Sequence, residues 1–327
     1  MTTKLSKNGY KIVKKDYGTK LIKEIKDELS VKPFNNYNKS QMNSDVGRFS
    51  VFLESPKKLY LPRFYALKKF GEPTINEMEE GDDINLKFNG DLREEQKPIE
   101  KIYLKNAHEK GGGIISIRCG GGKTVLALSI IAALQTKTIV VVHKEFLMTQ
   151  WLDRIRQFIP NAKIGKIQQK TIETDGCDIV LAMVQSVATK EYDTGVFDDF
   201  GLCIFDECHH LSAEKFSKIL RKISIPYMIG LSGTPNRNDK LEKVFEYYIG
   251  KMLYYEKPKI NQEILVNIYR FKMKHEKFKV VINKYTKEAQ ISTMVSNMVE
   301  LVERNTFIVN LIKECREDVN RKILVLS

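Results

Sequence analysis

The apolar positions between residues 113 and 233 fall into short, nearly unbroken runs separated by longer stretches of mixed polarity. The runs are "GIISI" (113–117), "TIVVVH" (138–143), "DIVLAMV" (178–184), "LCIFD" (202–206) and "YMIGLSG" (227–233). Each is short and rich in β-branched residues, with no polar position at every second place, so each predicts a strand covered on both faces. Between the first two lies "TVLALSIIAAL" (124–134), long enough for a core helix, and "KEFLMTQWLDRIRQFI" (144–159) predicts a second. Strands alternating with helices predict an α/β fold built on a parallel sheet, in which ligands collect at the carboxyl ends of the strands.

The informative residues fall at those ends. "IRCGGGKTVLAL" (117–128) follows a predicted buried strand and opens a predicted helix. A triphosphate needs converging backbone N–H groups, a helix N-terminus and a mobile cation. Gly120, Gly121 and Gly122 allow close backbone approach, Lys123 reaches the β- and γ-phosphates, and the Thr124 hydroxyl sits on Mg²⁺. Ile117 stands where the usual pattern has its first glycine. A glycine-rich turn between strand and helix is the alternative, but the strand and helix that a phosphate loop requires flank the segment. In "LCIFDECHHL", Asp206 and Glu207 directly follow a buried strand, and two carboxylates there are costly without a cation or proton to handle. Asp206 can hold the Mg²⁺ that Thr124 touches, while Glu207 can orient and deprotonate a water. Alone, the pair would read as a solvated acidic turn.

Composition limits the alternatives. With 327 residues, 42% hydrophobic and 29% charged, the chain has the profile of a soluble globular protein of two or three domains. Val125–Leu134, its longest apolar stretch, is too short to span a bilayer, and the first fifteen residues lack a signal-peptide apolar region. Neither membrane nor secretion is expected. Five irregularly spaced cysteines fit a reducing, intracellular setting better than a disulfide framework. Cys203, Cys208, His209 and His210 cluster in a way that could suggest zinc, but the strand and the carboxylate pair explain them better.

The net charge of +13 points to polyanionic partners. Residues 1–70 carry 16 Lys and Arg against 6 Asp and Glu, whereas "EPTINEMEEGDD" (72–83) carries six acids and no base. The acidic stretch is expected to be a linker or exposed loop, with a domain boundary near residues 72–88. "RFSVFLESPKKLYLPRFYALKKFGEP" (48–73) predicts two strands around an "SPKK" turn. Its Lys57, Lys58, Arg63, Lys68 and Lys69 interleave with Phe52, Tyr60, Phe64 and Tyr65, which suits base stacking and phosphate contact. A small β-rich domain with core aromatics and solvated lysines fits the same composition.

G-G-G-K-T, then D-E-C-H, then "LSGTPNRND" resemble, in that order, motifs I, II and III of superfamily 2 helicases. The closest resemblance is to the XPB-like and large-DNA-virus (poxvirus late-transcription-type) DExH branch, whose loop often begins with an aliphatic residue and carries Cys-Gly, as Ile117, Cys119 and Gly120 do. "LREEQ" (92–96), "VVVHKEFLMTQW" (140–151) and "AMVQSV" (182–187) resemble further elements of that set. "RKILVLS" (321–327) looks like the first strand of a second RecA-like domain.

The resemblance implies a RecA-like sheet with flanking helices after a small basic β-containing N-terminal domain. It divides the chain into a basic recognition domain (1–85), an ATP-binding domain (86–250) and an inter-domain connection leading to the second domain (251–327). It implies ATP and Mg²⁺ as cofactors, DNA or RNA as partner, transcription or repair factors as further partners, and a virion or infected-cell setting if the chain is viral. Gln96 would contact the adenine edge, although a surface glutamine at a helix start is an ordinary feature. His209 would link the site to the second domain, and Ser232 and Thr234 would relay nucleotide state. Lys144 and Gln150 would touch the nucleic-acid backbone, although solvation accounts for Lys144 equally well. With the motifs of the second domain absent after Ser327, the chain is expected to be an incomplete ATP hydrolase. That leaves two functions: a helicase or translocase, and a nucleotide-binding half-motor with a regulatory role.

Overall fold

The computed structural model describes residues 2–32, 48–193, 195–208, 213–220, 222–233, 242–257, 267–284, 288–317 and 323–325. They fall into two compact units, Met1–Lys259 and Ile260–Ser327.

The first unit opens with short strands: β1 (Lys4–Ser6), β2 (Gly9–Val13), β3 (Ser30–Val31), β4 (Phe49–Ser50), β5 (Leu53–Glu54), β6 (Lys58–Leu61) and β7 (Ile75–Asn76). Helix α1 (Thr19–Glu28) follows β2, and α2 (Arg63–Phe70) follows β6. Five strands form a sheet in the order β5-β6-β2-β1-β7, and β3 pairs with β4 separately. The turn at "SPKK" is present: Ser55 and Lys58 exchange hydrogen bonds as β5 folds back on β6.

Two expectations need correction here. After β6 the basic aromatic run continues as a helix, α2. Pro62 precedes it, two lysines occupy its last turn, and Gly71 terminates it at φ +79°. Phe52 and Tyr65 are buried, while Tyr60 and Phe64 are half-buried. The acidic stretch is exposed for most of its length but is no free linker. Ile75 and Glu77 donate backbone hydrogen bonds to Thr3 and Leu5 as β7 joins β1. Asp82 is then fixed between Asp199 and Lys137 at 2.8 Å each.

Eight strands form the main sheet: β8 (Gly112–Ser116), β9 (Thr138–Val142), β10 (Ile164–Gln168), β11 (Thr171–Glu173), β12 (Ile179–Met183), β13 (Leu202–Phe205), β14 (Tyr227–Ser232) and β15 (Met252–Tyr255). Their order is β11-β10-β12-β9-β13-β14-β8-β15, and every neighbouring pair is parallel except β10–β11. All five predicted apolar runs are strands of this sheet. The helices are α3 (Lys97–Lys110), α4 (Lys123–Leu134), α5 (Glu145–Phe158), α6 (Val184–Thr189), α7 (Ala213–Leu220) and α8 (Glu242–Ile249).

Alternation along the central strands separates two cores. Val140, Val142, Leu181, Leu202 and Ile204 face the side packed with residues of α3, α4 and α5, including Tyr103, Ile130 and Trp151. Ile139, Val141, Val180, Cys203 and Phe205 face the other side, with Phe216 and Phe245. Leu5, Tyr10, Ile12 and Leu61 of the N-terminal sheet belong to this second cluster as well. Tyr65 of α2 meets Tyr247 of α8 edge-on at 5.2 Å, and the Tyr248 hydroxyl donates to the Val51 carbonyl.

The described residues of the second unit hold a 3₁₀ turn at Glu276–Phe278 and two helices, α9 (Ile291–Val299) and α10 (Val302–Arg316). Phe271 packs on Phe307 at 5.4 Å, and Lys277 is ion-paired with Glu300. No helix among the described residues is long and apolar enough to cross a membrane.

Candidate nucleotide site

The loop between β8 and α4 is shaped by its two ends. Ile117 is buried in the core and its Cγ2 lies beneath Gly121, where an added Cβ would come within 2.3 Å of it. An aliphatic residue at the loop's first position therefore anchors the turn from below. At the other end Gly122 is the N-cap of α4 at φ +82°, and an added Cβ there would meet Gln96 Nε2 at 2.4 Å.

Gln96 itself is buried just ahead of α3. Its amide nitrogen donates to the Gly121 and Gly122 carbonyls, both at 3.1 Å, and its oxygen accepts from the Arg93 N–H at 3.0 Å. The amide thus uses both its functions on the polypeptide, tying the upstream segment to the loop.

Lys123, the first residue of α4, is 9% exposed. Its Nζ lies 2.9 Å from Glu207 Oε1 and 3.5 Å from the Ile117 carbonyl. Glu207 stands at φ +48°, a left-handed conformation that side chains other than Asn, Asp and Gly rarely take. That backbone turns its carboxylate back toward the loop. Its second oxygen accepts from the Gly233 N–H at 3.2 Å, which brings the end of β14 against the same group.

Asp206 is 5% exposed. Burial pushes its carboxyl above the usual range, opposed by a 2.8 Å hydrogen bond from Trp151 Nε1 to Oδ2; Glu207 adds to the rise and Lys123 counters it. Trp151, fully buried on α5, is a site residue that the motif pattern does not mark. Its position nearly two turns along the helix after a β-strand, with an indole N–H needing a buried acceptor, is the signal that could have marked it.

Asp206, Glu207, Lys123, Thr124, Gly120, Gly122 and Gln96 line one cleft of about 460 Å³. Gln150, Arg154 and Phe158, on one stripe of α5, also line it, which places Gln150 beside the phosphate loop. Lys144 is exposed at the N-cap of α5, its Nζ 5.7 Å from the Phe146 ring centroid. Ser232 ends β14, buried, its carbonyl accepting from the Ile117 N–H at 3.0 Å. His209 and Thr234 lie outside the described residues.

A parallel sheet with a glycine-lysine-threonine loop after β8 and a carboxylate pair after β13, with β14 between the two strands, has the form of a RecA-like fold. Residues 89–237 match the family described as "Type III restriction enzyme, res subunit". Across 99% of its length the chain is 35% identical to "Putative ATP-dependent RNA helicase L396" of Acanthamoeba polyphaga mimivirus, covering 63% of that protein. Over half of its length it is 32% identical to "DNA 3'-5' translocase XPB2" of Sulfurisphaera tokodaii, covering 35% of that protein. The crystal structure of the UvsW helicase from bacteriophage T4 shares the fold, with a TM-score of 0.57 at 18% identity over 78% of this chain and 100% of that one. These likenesses are to superfamily 2 helicases, in the branch of XPB-like and large-DNA-virus proteins. The chain spans less than two thirds of the length of these two curated relatives.

Proposed function

We propose that the chain binds ATP with Mg²⁺ above Gly120–Gly122 and, within a helicase or translocase, couples hydrolysis to movement along DNA or RNA. The contact of Lys123 with Glu207 at 2.9 Å carries this reading. A triphosphate entering the cleft competes for the Lys123 ammonium and frees the Glu207 carboxylate. That carboxylate then orients a water for in-line attack on the γ-phosphorus and accepts its proton.

Asp206 suits a cation, since its buried carboxylate faces a cleft in which the Lys123 ammonium is already bound to Glu207. Asp206 and the Thr124 hydroxyl would hold Mg²⁺, which when bound neutralises phosphate charge. Gly120, Gly121 and Gly122 cradle the phosphates and Gln96 holds their loop. Ser232, with His209 and Thr234, relays nucleotide state, and Lys144 takes the nucleic-acid contact implied by the family; Gln150, implied in the same contact, lines the cleft beside the phosphate loop. The proposed division of the chain is 1–85, 86–250 and 251–327, with β15 (Met252–Tyr255) of the third part seated in the main sheet beside β8. A second RecA-like domain, in cis or in trans, supplies the cation that completes catalysis, so residues 1–327 by themselves hydrolyse ATP poorly. The viral relatives' names support an infected-cell setting, with transcription or repair factors as partners.

ATP binding and hydrolysis, each measured with and without polynucleotide and with the second domain supplied, test the reading. Lys123→Ala should lose binding. Glu207→Gln should keep binding and lose turnover by about 10²–10⁴-fold. Parental turnover by Glu207→Gln would overturn the assignment.

A further inference from the structure

We infer that Glu256 is a positioning residue for the phosphate loop, acting through Arg118, and sets nucleotide affinity from outside every motif quoted above. The inference rests on the nucleotide-binding reading of the cleft. β15 runs beside β8 at the edge of the sheet, with Tyr255 opposite Ser116. The next residue, Glu256, donates its backbone N–H to the Ser116 carbonyl at 2.9 Å, so its backbone is fixed beside the end of β8. From there its carboxylate reaches the start of the loop. One oxygen accepts from the Arg118 backbone N–H at 3.0 Å, and the other from the Arg118 guanidinium at 2.7 Å.

A surface ion pair of the ordinary kind joins two mobile side chains and contributes little. Here one of the two donors is the loop's own backbone, and the Glu256 side chain is only 18% exposed. Two consequences follow for the cleft. The N–H of Arg118 is fixed at the point where the chain leaves β8, so the direction in which residues 119–122 present their own N–H groups is set before a ligand arrives. The guanidinium is also kept on Glu256. Arg118 lines the same cleft as Asp91, Asp206 and Glu207, any of which would attract it.

The full chain can be titrated with a fluorescent ADP and with ADP itself, for the parent, Glu256→Ala, Glu256→Gln, Arg118→Ala and the double Ala variant. Glu256→Ala is expected to weaken ADP binding about tenfold. Arg118→Ala should weaken it less, since the backbone bond survives. The double variant should bind no worse than Glu256→Ala, because both changes break one linkage. Glu256→Gln, which keeps an acceptor for the N–H, should recover part of the loss.

Thermal unfolding without nucleotide separates positioning from support of the fold. A Glu256→Ala chain that melts lower yet binds ADP within twofold of the parent overturns the inference, as do strictly additive losses. If the parent binds no ADP, or Lys123→Ala binds as well as the parent, the nucleotide reading itself fails and this inference with it.

Discussion

Trp151 on α5 donates from its indole Nε1 to Asp206 Oδ2 at 2.8 Å, so a carboxylate at the end of β13 is held by the helix that follows the neighbouring strand β9. Replacing Trp151 with Phe keeps a ring in the core and removes the donor. A hydrogen bond to an ionised buried group is worth about 1.5–3 kcal/mol, and stability at neutral pH should fall by that order. The bond also favours the ionised carboxylate against burial, so the acid limb of an ATP turnover profile should move to higher pH in Trp151→Phe. An unmoved limb would show that the reaction does not feel this bond.

Asp206 yields a prediction of the opposite sign. Its carboxyl in the folded chain titrates above the unfolded value, because burial penalises the charge. The folded state therefore holds the proton more tightly, and stability is lost as pH rises from the unfolded value through the folded one. Asp206→Asn, which removes a buried charge, should stabilise the metal-free chain at neutral pH by about 0.5–2 kcal/mol. It should also lower turnover on the order of 10²-fold. Unfolding curves with and without Mg²⁺ check the cause: nucleotide plus Mg²⁺ should raise the parent's midpoint and do little for the variant beyond the effect of nucleotide alone.

Gln96 spends its amide on the Gly121 and Gly122 carbonyls and the Arg93 N–H. Gln96→Ala should therefore weaken ATP and GTP by similar factors, about tenfold if one or two hydrogen bonds of ordinary strength are lost. Competition titrations with both nucleotides decide the matter. A selective loss for ATP would show that the side chain leaves the loop to read the base.

Deleting residues 1–70 would be a poor test of nucleic-acid binding, because Leu5, Tyr10, Ile12 and Leu61 share a core with Val141, Cys203 and Phe205. Each such side chain contributes roughly 1.5–3 kcal/mol when fully buried. The truncated chain is expected to aggregate or to melt far below the parent. Lys57→Ala and Lys68→Ala are exposed alternatives. If these lysines neutralise phosphates, each replacement should reduce the slope of log K against log salt by up to about 0.7–0.9, with an unchanged melting midpoint. An unchanged slope would leave them as solvated surface.

Five strands of the eight-stranded sheet were legible because a parallel sheet buries its strands on both faces, and that writes unbroken apolar runs rich in β-branched residues into the sequence; β10 and β15, which are only partly buried, and β11, which is exposed, left no such run. The loop and the carboxylate pair were legible for a related reason, since glycine, lysine and acid at strand ends have few other uses. The segment Arg63–Phe70 was harder to read. Its aromatics follow a β-hairpin, and the local cues of Pro62, terminal lysines and Gly71 compete with high β-propensity. Lys123–Glu207 and Trp151–Asp206 are pairs distant in the chain, so composition and spacing named their members without joining them. Glu256 carries no local signal at all, because its partner lies 138 residues away.

The shared core beneath the main sheet also fixes a distance. Leu61 and Tyr65 pack into the same cluster as Phe205, which immediately precedes Asp206, so the N-terminal strands and the strand that carries the acid pair share one core. Whatever the lysines of α2 and the "SPKK" turn touch is registered to the nucleotide cleft like two marks on one ruler. A footprint on a nucleic acid would keep a constant offset from the proposed site of hydrolysis, and a replacement N-terminal module from another protein would have to rebuild the underside of the sheet before it could bind anything.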